Sequence, residues 1–499
     1  MQPTLPARRR MPYRIIVPAL FLLASVPVQA QQQDDLRRLL EQRTEQQGVE
    51  RERALLKEEQ DAGRPTITVD GQTHTVAHNA NDVGRALYLS LQNRQWQAAA
   101  RFLDEYLTLP GRDAMLEHYA QGMLARLQGR HDEAEREFRA LLALQQDFLP
   151  GRLELARTLF EDQQDREAAE LFQAIEASID ASDARTAGVR RTVATFRQAL
   201  ENRRSWNGTL ALGPAWSDNV NRTSASHTCL LADTDGFCYV DRRLPDAIVA
   251  SGLDFDGSLS RHLPLKGHHG LYLRSLLFGQ AYRNHSAYNE ASLTTQAGYS
   301  FRSARHSLAF APSFDYQTLG NSALYGAWGL HAEWNYSMSA TSLLKLEGDW
   351  KDLSYRQSSY SPYYDGVSRS VYLTYFRSLG PRWTLFGGVD LVDNDTPLAV
   401  TAYRQKGVRL GAALQWPEGF SSTLSASWRR RQHGASNALL EARREDDEQG
   451  YIFVIKAMRW AMAGFTPLLT LRHNRIDSSV DWLYSYDKSV VSLKLERTF

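Results

Sequence analysis

Only two cysteines occur among the 499 residues, the net charge is +1, and no apolar run of membrane-helix length follows the first thirty positions. Each shortage removes a class of protein. Two cysteines cannot staple a small secreted scaffold. A balanced charge gives no electrostatic case for nucleic acid, so no nucleic-acid partner is expected. A bilayer-spanning helix needs about eighteen or more consecutive apolar residues, and none exist here. Gly-rich phosphate loops, zinc-ligand spacings and nucleophile-elbow motifs are also missing. No such motif therefore nominates a catalytic residue or a metal ligand.

What is present begins with a leader. Arg8, Arg9, Arg10 and Arg14 precede a short apolar stretch from Ile15 to Val26, and Val28-Gln29-Ala30 fits a small-x-small cleavage pattern. Residues 1–30 read as a signal peptide. Export without a spanning helix leaves a soluble secreted protein or an outer-membrane barrel. Aromatics make up 10% of the chain and lie mostly after residue 200, which favours the barrel.

The chain stops inside a strand pattern. Val491, Leu493, Leu495, Arg497 and Phe499 share one face; Ser492, Lys494, Glu496 and Thr498 share the other. A barrel must close its last strand on its first, because unpaired edges are costly in lipid. Phe499 reads as the C-terminal signal for insertion. Upstream the same period of two starts at Trp206 and recurs at 249–260, 270–283, 291–302, 305–317, 324–337, 341–354, 366–378, 381–392, 403–416, 420–432, 449–460 and 463–475, giving fourteen strands with 487–499. Leu324, Trp328, Leu330, Trp334 and Tyr336 are expected on one outward face, and Val408, Leu410, Ala412, Leu414 and Trp416 on another. Long polar connections at 217–248, 284–290, 355–365, 393–402, 433–448 and 476–486 alternate with short ones, as in bacterial barrels. A soluble β-sandwich is the rival reading.

The N-terminal part has a different period. Residues 31–64 are rich in Gln, Glu and Arg and read as a solvated, partly helical lead-in. Thr66 to Val76 alternates around Asp70-Gly71, a hairpin signal. From Asn81 to about Asn202 the pattern is helical and repeats. Gly122, Gly129, Ala134 and Phe138 are followed 34 residues later by Ala156, Gln163, Ala168 and Phe172. That is tetratricopeptide spacing: small residues let helices approach, and the aromatic fills the gap to the next pair. Three helical hairpins and a final helix would stack into a short solenoid, either a peptide-binding groove or a plain spacer.

Cys229 and Cys238 lie nine apart in one polar loop and read as a local disulfide; only His227 stands near enough to help a metal. His262, His268 and His269 fall by a short turn and read as solvated. Asp254 and Asp256 share a face, as a catalytic carboxylate pair or, more simply, as lumen lining beside cations such as Arg274. Arg429-Arg430-Arg431 and Arg443 to Glu448 read as a solvated surface loop.

The mature chain resembles the surface lipoprotein assembly modulator (Slam) family. The strings that carry the resemblance are His78 to Tyr88, Phe148 to Arg157, Phe160-Glu161-Asp162 with Arg166-Glu167-Ala168-Ala169, Trp216 to Asn221, and Tyr484 to Lys488. They occur in the family's order. The expected architecture is α + membrane β: residues 1–30 a signal peptide, 31–80 a charged lead-in with a small hairpin, 81–202 a periplasmic tetratricopeptide-like solenoid, and 203–499 a 14-stranded antiparallel outer-membrane barrel. The resemblance implies a non-enzymatic factor, without cofactor, that helps lipoproteins or related secreted proteins reach the cell surface. Its expected partners are a cargo lipoprotein or secreted protein, outer-membrane lipid and the barrel assembly machinery. The alternative is an exopolysaccharide export porin, which also joins tetratricopeptide repeats to a barrel.

Overall fold

The computed structural model describes residues 26–62, 76–180, 182–183, 186–438 and 440–499. Most of the expected leader and nearly all of the expected hairpin at 66–76 lie outside the described residues.

Strand β1 (Asn207–Ser217) leads into a small hairpin, β2 (His227–Ala232) and β3 (Cys238–Arg243), and then into a meander. The meander comprises β4 (Ala250–Pro264), β5 (His269–Tyr282), β6 (Glu290–Arg302), β7 (His306–Leu319), β8 (Ser322–Ser339), β9 (Ser342–Tyr355), β10 (Gly366–Leu379), β11 (Trp383–Asp395), β12 (Tyr403–Trp416), β13 (Phe420–Asn437), β14 (Ala442–Ala457), β15 (Phe465–Ser478) and β16 (Tyr486–Thr498). Without the β2–β3 hairpin these form a closed barrel of fourteen antiparallel strands, in which β1 pairs with both β4 and β16. Closure is completed at the last residue, where Gly208 and Phe499 exchange two backbone hydrogen bonds of 3.0 Å.

Alternation decides which face is which. On β16, Val491, Leu493 and Leu495 are exposed on the outer surface, whereas Ser492, Lys494 and Glu496 are buried inside. Outward Val408, Leu410 and Trp416 on β12 repeat the pattern. This is the apolar-out, polar-in order of a membrane barrel. One residue of the expected outward faces differs. Leu324 is fully buried, because it lies at the rim beneath Tyr360 and Tyr364, where a loop folds over it.

The charged run after Arg429 is strand, not loop. β13 and β14 continue to 437 and from 442, leaving a short connection at 438–441. Arg431, Arg444, Asp446 and Glu448 turn inward and are buried, while Arg430 and Asp447 pair on the outside at 2.7 Å. From Arg429 to Arg431 and from Arg443 to Glu448 neither face carries apolar residues to reveal the period, because these strand ends extend past the apolar band.

The helical part is α2 (Ala80–Gln92), α3 (Trp96–Tyr106), α4 (Ala114–Leu127), α5 (His131–Leu144), α6 (Leu149–Glu161), α7 (Asp165–Ser178) and α8 (Ala187–Arg204), preceded by α1 (Val26–Ala62). Ala134, Phe138, Ala156, Ala168 and Phe172 are fully buried in one core. A Cβ on Gly122 would sit 2.7 Å from the Phe138 ring, so only glycine allows this approach. Phe172 stacks on Phe196 of α8, with ring centroids 5.1 Å apart.

α1 departs from the solvated lead-in read from the sequence. Its first half runs inside the barrel. Arg37 and Arg38 reach Asp349 and Glu347 on β9, Arg43 reaches Glu496 on β16, and Thr44 reaches Ser258 on β4. Arg38 also covers the Tyr372 ring on β10 at 3.0 Å. A helix polar on nearly all sides is explained when its surroundings are a polar wall.

Candidate functional site

Two surfaces on the described residues have the geometry of binding sites. The first is a concavity of about 400 Å³ on the solenoid, lined by Gly84, Arg85 and Tyr88 of α2, Met115 and Tyr119 of α4, and Phe148. Gly84 helps open it, since a Cβ there would lie 2.9 Å from the Tyr106 ring. Tyr119 is held edge-on between Phe138 and Phe148, at centroid distances of 6.4 and 6.1 Å. Burial, with Glu154 nearby, pushes the Tyr119 phenol up to about 12, so it stays a neutral donor. Tyr88 and Leu89 are exposed next to the groove. An aromatic, partly apolar groove with one arginine suits a polypeptide segment better than a small charged metabolite.

The second surface is the barrel's inner wall. Asp254 accepts from Lys494 at 2.8 Å and from Gln280 at 3.1 Å, and it also pairs with Arg472; Lys494 also holds Asp256. These two carboxylates are thus lining, and their cations are Lys494 and Arg472. Arg274 pairs elsewhere, with Glu333 at 3.1 Å. Glu333 shares Lys345 with Glu347, and Asp390 accepts from Arg409 at 2.6 Å and Arg429 at 3.2 Å. Each of these four carboxylates, Asp254, Asp256, Glu333 and Asp390, is thus ion-paired to a cation of the wall.

Solenoid and barrel meet at a seam. Asp162, in the α6–α7 turn, accepts from His268 Nε2 at 2.8 Å and from the Ala304 N–H at 3.3 Å. Glu167 accepts from the Gly267 N–H at 2.7 Å. His268 is therefore a docking residue; His262 meets Ser300 and His269 meets Tyr299. The hydrogen bond and charge of Asp162 raise the His268 pKa. Burial pushes the Asp162 carboxyl up, but bonds to His268, Ala304 and Gln164 outweigh it and hold the acid below its usual range. A side cavity of about 670 Å³ opens beside this seam, between His131, Arg136 and the 303–306 turn.

Cys229 and Cys238 are bonded, with Cα atoms 5.8 Å apart, across the β2–β3 hairpin. That hairpin stands at the end of the barrel opposite the solenoid, and Phe237 and Tyr239 are exposed on it. Sequence reasoning missed the place of α1 inside the barrel and the Asp162–His268 dock. Leu36, Leu39 and Leu40 gave a weak helical stripe for the first; nothing local marks the second.

Comparison with known proteins follows the same division. Residues 206–499 match the family described as surface lipoprotein assembly modifier, and residues 69–172 match that family's N-terminal TPR repeats. The hemophilin secretion modulator of Acinetobacter baumannii is 40% identical over 445 residues, covering 87% of this chain and 89% of its own. Surface lipoprotein assembly modifier 1 of Haemophilus influenzae is 24% identical, covering 83% and 84%. Surface lipoprotein assembly modifier 2 of Neisseria meningitidis is 26% identical, covering 79% and 81%. Among solved structures, the outer membrane channel DcaP of A. baumannii aligns with 9% identity and a TM-score of 0.35, over 59% of this chain and 96% of that one.

Proposed function

The chain belongs to the surface lipoprotein assembly modifier family, and on that premise we propose that its solenoid captures a cargo protein in the periplasm and hands it to the barrel for delivery to the cell surface. The barrel sits in the outer membrane, and the work is secretion or surface assembly of a protein. The similarity to a hemophilin secretion modulator favours a secreted or surface-anchored binding protein as cargo.

One observation carries the reading. The solenoid that bears the polypeptide-sized groove is docked directly on one rim of the barrel, through Asp162 and Glu167. Capture and conduit are thus held together in one chain. The mechanism needs no reaction or cofactor. Binding brings the cargo to the rim, and cargo that folds outside cannot return, so folding supplies the direction. Membrane lipid meets the outward apolar faces, and the barrel assembly machinery would read the last strand with Phe499.

The sugar-export alternative is not favoured by the family match. The test is protease shaving of intact cells that co-express a candidate cargo, with Arg85→Glu and Tyr88→Ala combined in the groove. Surface cargo should fall while barrel abundance is unchanged. Unaltered cargo display with loss of a surface polysaccharide would reverse the assignment.

A further inference from the structure

We propose that α1 is a removable plug, and that the inner wall it covers is the seat along which an extended cargo segment of mixed charge passes. This rests on the protein-export reading above. The helix fills the conduit. From Glu52, held by Arg203 at the solenoid end, to Asp34 beside Tyr372, the rise is roughly 27 Å at 1.5 Å per residue. That matches the roughly 25 Å apolar band of an outer-membrane barrel. Two spaces beside the helix measure about 90 and 40 Å³, room for a few waters and not for a chain. A barrel so filled transports nothing until the helix moves.

The ion pairs show that it can move. Among the described residues, each charged wall residue ion-paired to α1 also has an ion-pair partner in the wall. Asp349 holds Arg37 but also His331 at 2.8 Å; Glu347 holds Arg38 but also Lys345 at 3.5 Å. Glu496 holds Arg43 and Lys456, and Arg429 holds Asp35 and Asp390. Arg274 holds Glu45 and Glu333. Losing one partner from a buried pair is expensive because a bare charge remains. Here withdrawal bares none of these wall charges, and Arg37 keeps Asp34 and Glu41 within the helix.

Two apolar notches indicate what replaces it. Leu36 and Leu40 pack on Leu276 and Phe278, and Leu39 packs on Ala211, Ile452, Val454 and Leu468. Aliphatic notches in a wall of alternating acids and bases suit a polypeptide carrying both kinds of side chain. The bore admits one helix, about 10–12 Å across. It therefore takes a single extended or helical segment and excludes a folded domain.

The experiment locks the plug in the full-length protein. Thr44 Oγ1 lies 2.9 Å from Ser258 Oγ, so T44C with S258C places two thiols in reach of a disulfide. Current is recorded across planar bilayers, with an unfolded polypeptide of mixed charge added on the solenoid side. Oxidised T44C/S258C should show no openings and no polypeptide block; reduction should restore both. S258C alone, reduced in parallel, controls for the native Cys229–Cys238 bond. Removing residues 31–62 should raise conductance several-fold, with block by the same polypeptide. A locked protein that opens and is blocked like the reduced one, or a deletion that conducts no more than the full chain, overturns the plug. In cells the locked variant should also lose surface cargo, regained on reduction. If current follows the plug scheme while deletion of the whole gene leaves cargo display intact, the plug stands and the export reading falls.

Discussion

His268 Nε2 and Asp162 Oδ2 lie 2.8 Å apart across the seam between barrel and solenoid, each shifting the other toward its charged form. The histidine's contribution is full below its unfolded pKa, about 6.5, and is lost as pH rises through its raised value. The acid's contribution is present above its ordinary value and is lost as pH falls through its lowered one. Docking is therefore tightest between these limits. The pair is worth at most about 1 kcal/mol, since the histidine side chain remains 23% exposed. Hydrogen exchange at the Gly267 and Ala304 amides, which donate into the solenoid, should accelerate above the His268 pKa beyond the intrinsic rate increase. Asp162→Asn should abolish that extra step; a step that survives it refutes the linkage.

The barrel's seam closes on Phe499, whose ring lies against Gly208. A Cβ on Gly208 would meet the Ser258 carbonyl at 2.4 Å and the Phe499 ring at 2.7 Å. Gly208→Ala should therefore destabilise the barrel by about 1–3 kcal/mol, the usual range for overpacking. Deleting Phe499 removes two seam hydrogen bonds and the aromatic together, and should lower outer-membrane abundance. Heat-modifiable migration on gels reads both, and unchanged migration with unchanged amounts would count against closure at this residue.

The bonded hairpin β2–β3 forms its own two-stranded sheet, apart from the barrel ladder. C229S with C238S should loosen that hairpin by about 2–3 kcal/mol in the chain-entropy model and leave the barrel folded. An epitope inserted at Thr234 should be reached by antibody on intact cells. Labelling only after lysis would invert the membrane orientation.

Both periods of this chain were legible because each has an apolar face. Gly122 with Phe138 and Ala156 with Phe172 marked the helical repeat, and Val491, Leu493 and Leu495 marked the strand. Legibility failed where both faces are polar. Arg443 to Glu448 reads as a loop, yet Arg444, Asp446 and Glu448 line the lumen. Asp35, Arg37 and Arg38 read as solvated because their partners lie some three to four hundred residues away on the wall. Charge complementarity at that separation leaves no local signature; only the closed barrel brings the two together.

Phe138 tests the independence of the two cores. It is fully buried, and Phe→Ala changes at such sites cost about 3–5 kcal/mol. Phe138→Ala should unfold the solenoid at lower temperature while the barrel keeps its own transition. A single merged transition shifted as a whole would show that the two halves fold as one unit.

Arg203 joins three parts of the molecule, and its removal makes the sharpest prediction. Its guanidinium reaches Glu52 of α1 at 2.6 Å, Asp165 of α7 at 2.5 Å and the Phe160 carbonyl at 3.1 Å, and it lies 3.8 Å over the Phe160 ring. Asp165 is 1% exposed, so Arg203→Ala strands a buried carboxylate. Breaking one side of such a pair costs about 3–5 kcal/mol, and that loss should appear in solenoid melting. Glu52 is more open and would lose only its anchor. The foot of α1 would then lose its ion pair at the solenoid end, keeping there the packing of Leu56 and the contacts of Glu50 with Gln415 and Arg51 with Asn207, while its upper part keeps its wall contacts. Arg203→Ala should consequently give brief, frequent channel openings where deletion of 31–62 gives a sustained one. Asp165→Asn combined with Arg203→Ala removes the stranded charge and should restore much of the solenoid's stability without quieting the channel. If both effects are rescued together, the openings come from a damaged solenoid and not from a released foot.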